Sequence, residues 1–173
     1  FNFSYYESDH FVTYYYMGGQ EIGKYTVKHA EDFADEISKV LDFKYRKKVD
    51  IIVYNTINDL NQTNIGIYNP DQNQGGTAKL PDSKMFVYFN GNHANLDKQI
   101  REGITRIYLD KQLSGKGVGE VIANALLLNL PDWYRKGLVS YMGENWNADM
   151  EDRLRDGIMS GRFRELTKLP NEE

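Results

Sequence analysis

The chain has 173 residues, with 21 Lys plus Arg, 25 Asp plus Glu, no cysteine and a formal net charge of −4. That length fits one domain with a sizeable buried core. The lack of cysteine excludes disulfides, thiolate nucleophiles and Cys-bound metal clusters. The acidic charge balance argues against nucleic acid as a partner, and no apolar run is long enough to span a membrane.

The start of the chain predicts a strand followed by a long helix. Residues 10–16 are β-branched and aromatic, a composition typical of strands, and Gly18-Gly19 indicates a turn. The tyrosines at 14–16 are interpreted as half-buried sheet residues. From Gln20 to Leu41, apolar residues recur at spacings of three and four, which predicts one face of an amphipathic helix.

Two more strands are predicted on either side of a long polar segment. Residues 49–56 contain the apolar run typical of a buried strand, and residues 85–89 have a similar character. The segment 57–83 is rich in Asn, Gln, Gly, Asp and Pro. A polar segment of this length is usually functional or contains a short element of its own.

The second half of the chain predicts helices only. Apolar stripes with helical spacing occur over residues 96–108, 118–128, 131–142 and 147–161. Pro131 is expected in the first turn of its helix, Asn147 as the N-cap of the last helix and Gly161 at its end. Strands with one helix, followed by helices alone, predict a single α+β domain over residues 1–173.

The histidines do not form a recognisable metal motif. His10 is expected to open a strand, His29 to lie in the first helix and His93 to lie in a loop. No two of them are spaced four residues apart, so the sequence has no helical two-histidine metal pair. Each is interpreted as a surface or hydrogen-bonded histidine. Nucleophile-elbow and phosphate-loop motifs are also lacking in the sequence.

Two segments carry a resemblance to a known family. Residues 99–109 have the sequence QIREGITRIYL, and residues 130–141 have the sequence LPDWYRKGLVSY. Together they resemble the active-site helices of gluzincin metallopeptidases, in which one helix carries HExxH and a later helix supplies a third zinc ligand from the Glu before a Gly. In such a site two His and a Glu hold zinc, and the Glu of the first motif activates a zinc-bound water.

Weaker matches extend the resemblance over most of the chain. They lie at residues 10–16, 51–55, 62–65 and 75–76 and look most like the peptidase-like domain of secreted Bacteroidetes proteins, which often precedes a Tol-type β-propeller. The resemblance implies a thermolysin-like (gluzincin) α+β architecture, in which a small N-terminal mixed sheet with one long helix precedes a C-terminal helical half. It also implies a periplasmic or cell-surface location, with this chain expected to be part of a longer exported protein.

The zinc-binding residues of the family are replaced in this chain. The resemblance aligns the first His with Glu102, the catalytic Glu with Gly103, the second His with Arg106 and the third ligand with Lys136. Arginine and protonated lysine have no lone pair for a metal, and glycine has no side chain to activate water. Because the family's functional residues are replaced at these four degenerate positions, we predict that the chain has no catalytic residue, binds no metal and uses no cofactor.

A register shifted by one residue leads to the same conclusion. It keeps Glu102 as the catalytic Glu but places Arg101 and Thr105 at the two His positions. The first register is preferred because residues 104–105 and 107–108 then match the hydrophobic frame of the family.

The replacing residues suggest another role for these positions. Glu102 and Arg106 are four residues apart and are expected to share a helix face, and the family fold would direct Lys136 toward them. We hypothesise an ion-pair cluster of these three side chains in the place of zinc. The alternative is that Lys98, Glu102 and Arg106 form an ordinary solvated stripe.

The sequence leaves three functions open. The first is a catalytically inactive domain that binds or scaffolds within a cell-envelope protein and holds an extended peptide or an envelope protein partner along the strand at 85–89. The predicted binding residues are Met85, Phe86, Val87, Tyr88, Trp133 and Tyr141. The second is an active peptidase with an unusual metal site, for which His93, Asp97 and Glu102 are the nearest candidates in sequence. The third is a structural spacer or assembly domain, and no pattern indicates an oligomeric state.

Overall fold

The computed structural model describes residues 2–63, 83–113, 131–144 and 148–162. In chain order, its elements are β1 (Phe3–Glu7), β2 (Phe11–Tyr16), α1 (Gln20–Leu41), β3 (Val49–Tyr54), α2 (Ile57–Asn61), β4 (Lys84–Tyr88), α3 (His93–Leu113), α4 (Asp132–Gly143) and α5 (Ala148–Met159). A small mixed four-stranded sheet thus precedes a helical part, which confirms the predicted α+β class.

The sheet has the strand order β1-β2-β3-β4. β1 and β2 form an antiparallel hairpin, whereas β2, β3 and β4 run parallel to one another. Parallel neighbours need crossover connections, and each of the three parallel strands leads into a helix. As a result α1, α2 and α3 all begin at the carboxyl ends of these strands.

The first helix and the turn before it follow the prediction. α1 runs from Gln20 to Leu41, and Gly18 in the preceding turn has a φ of 88°. A Cβ on Gly19 would lie 2.7 Å from Asn55 Oδ1, so a larger residue at this position would require the Asn55 side chain to move. The strand predicted at 10–16 is β2.

The core lies between one face of the sheet and the helices α1 and α3. Residues alternate along each strand, so every second side chain points to this face. Its buried members are Phe11, Val49, Ile51, Val53, Met85 and Val87 from the strands, Ala30, Ala34 and Ile37 from α1, and Leu96, Ile100, Ile104 and Tyr108 from α3.

The opposite face of the sheet is aromatic. Ring contacts run across the strands from Phe3 through Tyr16 and Tyr54 to Phe86, with centroid separations of 5.8, 6.3 and 6.4 Å. Each such pair adds about 1 kcal/mol beyond the burial of its area. The tyrosines at 14–16 are half-buried, as predicted, and the aromatic contacts tie β1 to the rest of the sheet.

The elements after α1 agree with the prediction where the structure describes them, except that His93, which was predicted to lie in a loop, is the first residue of α3. β3 and β4 lie at the predicted strands, and the polar segment after β3 contains α2 as a short element. Pro131 is the residue before α4 rather than a member of its first turn. Gly161 follows α5 with a φ of 65°, which confirms it as the helix end. The helix predicted at 118–128, the Asn147 cap and the match at 75–76 lie outside the described residues. None of the described helices combines the length and the apolar character that crossing a bilayer requires.

Two buried hydroxyls, one on β2 and one on α1, lack hydrogen bonds. Thr13 and Thr26 are fully buried, and neither Oγ1 has a partner in the described part of the chain. We expect Thr13→Val and Thr26→Val each to raise the free energy of unfolding by about 1 kcal/mol, because valine keeps the shape and removes a desolvated hydroxyl. Urea denaturation measures the change.

Thr105 on α3 is the matched control for these two substitutions. It is equally buried, but its Oγ1 donates a hydrogen bond to the carbonyl O of Arg101 at 2.8 Å. Thr105→Val is therefore expected to give no gain in stability. Equal gains from all three substitutions would contradict the role assigned to the unmade hydrogen bonds.

Candidate functional site

Glu102 is a nearly buried carboxylate on α3. The residue is 5% exposed, and Lys98 and Arg106 lie one helical turn before and after it. Lys98 Nζ is 4.0 Å from Glu102 Oε1, and Arg106 Nη2 is 4.0 Å from Glu102 Oε2. The spacing of four residues places the three side chains on one helix face, as predicted for Glu102 and Arg106.

The two ion pairs of Glu102 are longer than hydrogen bonds. Both separations are 4.0 Å, and the buried Nε of Arg106 has no hydrogen-bond partner among the described residues. A buried ion pair offsets its loss of hydration only when hydrogen bonds accompany it. The cluster therefore satisfies its charges incompletely and is weak support for the stability of the fold.

The pKa of Glu102 depends on burial, which raises it, and on the two neighbouring cations, which lower it. Burial raises the pKa above its ordinary value of 4.5, Lys98 and Arg106 act to lower it, and Glu144 raises it further. The net direction is upward, so the effect of burial exceeds that of the two cations. The ionised carboxylate is less stable in the folded chain than in water.

Glu102→Gln is expected to stabilise the chain at pH 7 and to remove part of its pH dependence. The folded chain holds the proton of Glu102 more tightly than the unfolded chain does. The free energy of unfolding therefore falls as pH rises from 4.5 through the raised pKa, and this loss is absent in the Gln variant. Urea denaturation from pH 4 to pH 8 measures the difference. A variant less stable than the wild type at pH 7 would mean that the two cations outweigh burial.

Arg101 joins three helices beside the buried carboxylate. Its Nε donates to the carbonyl O of Met142 on α4, and its Nη1 donates to Glu36 Oε2 on α1, both at 2.8 Å. Its guanidinium also lies 4.8 Å from the centre of the Phe33 ring, a cation–π contact. Arg101 and Thr105 are the residues at the His positions of the alternative register, and both are held by hydrogen bonds within the helical layer.

The C-terminal end of α4 covers the same site. Lys98 pairs with Glu144, the residue after the helix, so the cation is shared by two carboxylates. A Cβ on Gly143 would lie 3.0 Å from Glu102 Oε1 and 3.1 Å from its Cδ, and closer still to its Cγ. The buried Glu102 side chain therefore occupies the space that glycine leaves open.

α4 lies antiparallel to α3. Arg135 Nη2 donates to Asp110 Oδ1 at 2.8 Å near one end of the contact, and Arg101 donates to the carbonyl O of Met142 at the other end. This alignment places Lys136 beside the Asp110 end of α3, away from the buried carboxylate.

The observed cluster therefore differs from the predicted one. The second cation beside Glu102 is Lys98, and Lys136 is an exposed residue elsewhere on α4. Because Glu102 is buried, the alternative of a solvated stripe is also wrong for this residue. Gly103 is buried in α3 next to Glu102 and brings no functional group, and Arg106 is the one member of the prediction that does contact the carboxylate.

The predicted binding strand is largely part of the core. Met85, Phe86 and Val87 are buried, and Tyr88 is half-buried. β4 pairs with β3, and no other strand of the described residues pairs with its outer edge. Strand addition here would use outward-facing backbone groups, while the side chains of Met85 and Val87 stay in the core.

Gln99 already occupies one end of that edge. Its Oε1 accepts from Tyr88 N at 3.0 Å, and its Nε2 donates to Tyr88 O at 3.0 Å and to Asn95 Oδ1 at 2.7 Å. The side-chain amide thus pairs with both outward groups of Tyr88, as a neighbouring strand would. Gln99 is 2% exposed, so the edge is closed at Tyr88, and Lys84 and Phe86 are the other residues of β4 whose backbone groups point the same way.

Trp133 and Tyr141, the other predicted binding residues, both lie on α4. Trp133 is half-buried and its ring is 5.8 Å from that of Tyr134, whereas Tyr141 is exposed. They are separated by about 12 Å along the helix axis. The two side chains therefore do not adjoin as one aromatic surface.

A cluster around Tyr25 was not predicted from the sequence. The ring of His29 stacks on Tyr25 at 3.9 Å, the ring of His93 meets it at 4.6 Å, and the Tyr25 hydroxyl donates to Asp97 Oδ1 at 3.0 Å. Burial and the bond to Asp97 raise the pKa of Tyr25 to about 12. The spacing of four residues between Tyr25 and His29 was the available signal. Within the described ranges, no three His, Asp or Glu side chains are arranged to hold a metal ion.

His10 is hydrogen-bonded, one of the two roles predicted for it, and its partner is the carboxylate of Glu31. Its Nδ1 is 2.8 Å from Glu31 Oε2, and its backbone N donates to Glu31 Oε1 at 2.8 Å. Burial acts to raise the pKa of Glu31, but hydrogen bonds from Ser8 and His10 outweigh it and hold the pKa below its ordinary value. This pair joins the start of β2 to α1.

Comparison with known proteins gives no relative for this chain: no family description, no curated protein and no solved structure matches it. The fold and the site define an α+β domain with a buried, cation-flanked carboxylate on its third helix. Membership of the gluzincin family stays a prediction from the sequence.

Proposed function

We propose that the chain is a gluzincin-like domain without zinc chemistry that binds or scaffolds within an exported cell-envelope protein. The observation that carries the proposal is the pair of cations, Lys98 and Arg106, at 4.0 Å on either side of the buried carboxylate of Glu102. A zinc ion drawn to Glu102 would meet two positive charges that lie 4.0 Å from the carboxylate oxygens, and like charges repel. Neither cation offers a lone pair to a metal.

The helical layer around Glu102 supports a scaffolding role. Arg101 links α1, α3 and α4 through contacts with Glu36, Phe33 and Met142. A residue bonded to three helices restricts their relative movement. The order of a small mixed sheet followed by helices is also compatible with the proposed architecture.

The outer edge of β4 supports a binding role for an extended peptide. Gln99 closes this edge at Tyr88, so the proposed pairing uses the backbone groups of Lys84 and Phe86. Added strands gain affinity from main-chain hydrogen bonds and specificity from alternate side chains. The peptide would therefore extend away from the Tyr88 end.

Metal analysis tests the loss of zinc chemistry. Purified wild-type chain is incubated with zinc, dialysed and measured by mass spectrometry, and the same sample is assayed on casein with and without a chelator. We expect no stoichiometric zinc and no chelator-sensitive cleavage. Stoichiometric zinc with cleavage that Glu102→Gln abolishes would instead identify an active peptidase with Glu102 as its general base.

Backbone amide shifts test the binding role separately. A pool of casein peptides is titrated into isotope-labelled chain, and the amide signals of β4 are followed by NMR. We expect the signals of Lys84 and Phe86 to shift while that of Tyr88, bonded to Gln99, stays in place. No shift along β4 would contradict peptide binding and favour the reading as a structural spacer.

A further inference from the structure

Asn90 and Gly91 form the only Asn-Gly pair in the sequence, and they lie in the turn between β4 and α3. Both residues are exposed, and Gly91 has a φ of 87°, a conformation that glycine adopts without strain. Among the described residues, the N–H of Gly91 has no hydrogen-bond acceptor, and apart from its chain neighbours no atom lies within 4 Å of its Cβ position. The backbone nitrogen that follows the Asn90 side chain is therefore accessible.

A hydrogen bond within the turn holds the side-chain amide of Asn90 near that nitrogen. Asn92 N donates to Asn90 Oδ1 at 3.1 Å, and this bond closes a ring that includes both Asn90 Cγ and Gly91 N. If Gly91 N adds to Cγ, negative charge develops on Oδ1, the atom that already accepts the N–H of Asn92. α3 begins at His93, and the partial positive charge at its N-terminus favours the same negative charge.

We propose that Asn90 is a site of spontaneous covalent modification that the turn favours. Gly91 N attacks Asn90 Cγ and loses its proton, a new C–N bond closes a succinimide ring, and the bond from Cγ to Nδ2 breaks as Nδ2 leaves as ammonia. One water molecule then opens the ring. Its attack at Cγ gives aspartate, and its attack at the main-chain carbonyl C of Asn90 gives isoaspartate, in which the main chain continues through Cγ.

The two products differ in their effect on the fold. Aspartate keeps the length of the main chain and places a negative charge before the N-terminus of α3, where the helix dipole favours it. Isoaspartate adds one methylene group to the main chain between β4 and α3. The added length disturbs the contacts across the turn, in which the ring of Phe89 lies 5.0 Å from that of His93 and Gln99 bonds to Tyr88. This inference does not rest on the proposed function.

Peptide mapping by mass spectrometry on the 173-residue chain tests the reaction. The protein is incubated at neutral and at mildly alkaline pH. We expect a mass gain at Asn90 equal to the exchange of NH₂ for OH, and we expect it to appear faster at the higher pH because the attacking nitrogen must lose a proton. Asn92 is the internal control, since its Oδ1 also accepts backbone N–H groups but the next residue has a side chain that hinders attack. No conversion at Asn90, or equal conversion at Asn92, would overturn the proposal.

Unfolding separates the effect of the turn from that of the dipeptide. In guanidinium chloride at the same pH, the bond from Asn92 N is lost, and the rate of conversion at Asn90 is expected to fall at least about threefold. Asn90→Gln keeps an amide, but its longer side chain does not close a succinimide ring, so this variant should stay unmodified. Circular dichroism confirms that the variant is folded. A rate that rises on unfolding would show that the turn protects Asn90 and would contradict its assignment as a favoured site.

Hydrogen exchange tests the effect of the longer main chain. The isoaspartate form is separated by chromatography and compared with Asn90→Asp, which carries the same charge on a main chain of normal length. We expect exchange at Tyr88 N–H to be at least about tenfold faster in the isoaspartate form than in the unmodified chain, and nearly unchanged in Asn90→Asp. Equal exchange in the two forms would contradict the effect assigned to isoaspartate.

Discussion

Gly143→Ala is expected to lower the free energy of unfolding by about 2 kcal/mol, although alanine is the better helix former. The added Cβ would overlap Cγ of Glu102 and lie 3.0 Å from its Oε1. Cγ is near the backbone of a nearly buried side chain, so it cannot turn away into solvent. Either α4 moves away from α3, or Glu102 leaves its preferred rotamer. Urea denaturation measures the loss.

Gly137→Ala is the matched control on the same helix. Gly137 is exposed, and apart from its own helix backbone and chain neighbours no atom of the described residues lies within 4 Å of its Cβ position. This variant is expected to gain about 1 kcal/mol from helix propensity alone. A loss similar to that of Gly143→Ala would mean that both glycines serve the backbone rather than the contact with Glu102.

A double-mutant cycle identifies the source of the Gly143 effect. Glu102→Ala removes the Cγ that the new methyl group meets, so Gly143→Ala should cost little in that background. We expect a coupling energy of about 2 kcal/mol between the two positions. Equal costs in the two backgrounds would show that the contact is not responsible.

Local periodicity predicted the elements whose pattern is long or strongly apolar. α1 spans Gln20 to Leu41 in both the prediction and the structure, because more than five turns of regular spacing leave little ambiguity. The apolar runs of β3 and β4 were also sufficient to predict these two strands. β1 was not predicted, since five residues that include Ser4 and Glu7 carry too short a pattern, and its pairing with β2 stabilises it.

The site depends on alignments that local sequence does not contain. Glu102 and Arg106 were predicted to lie together, because a spacing of four residues within one helix is enough to bring two side chains close. The position of Lys136 depends on how far α4 slides along α3, which the bond from Arg135 to Asp110 helps to set. The bond between Gln99 and Tyr88 likewise requires the sheet edge and α3 to be in place.

Gln99→Leu is expected to lower the free energy of unfolding by about 3 kcal/mol. Leucine has a similar volume and stays apolar in this buried position, but it leaves both Tyr88 N and Tyr88 O without the hydrogen bonds that Gln99 makes at 3.0 Å. A buried backbone group without a hydrogen bond costs far more free energy than an exposed one, because the exposed group can bond to water. Urea denaturation measures the loss, and hydrogen exchange at Tyr88 N–H is expected to become faster.

Gln112→Leu separates this effect from the general loss of a glutamine. Gln112 is also on α3, but among the described residues its side chain makes a single longer bond, from Nε2 to the carbonyl O of Leu41 at 3.3 Å. Its substitution is expected to cost about 1 kcal/mol or less and to leave exchange at Tyr88 unchanged. Equal losses from the two variants would contradict the role assigned to Gln99.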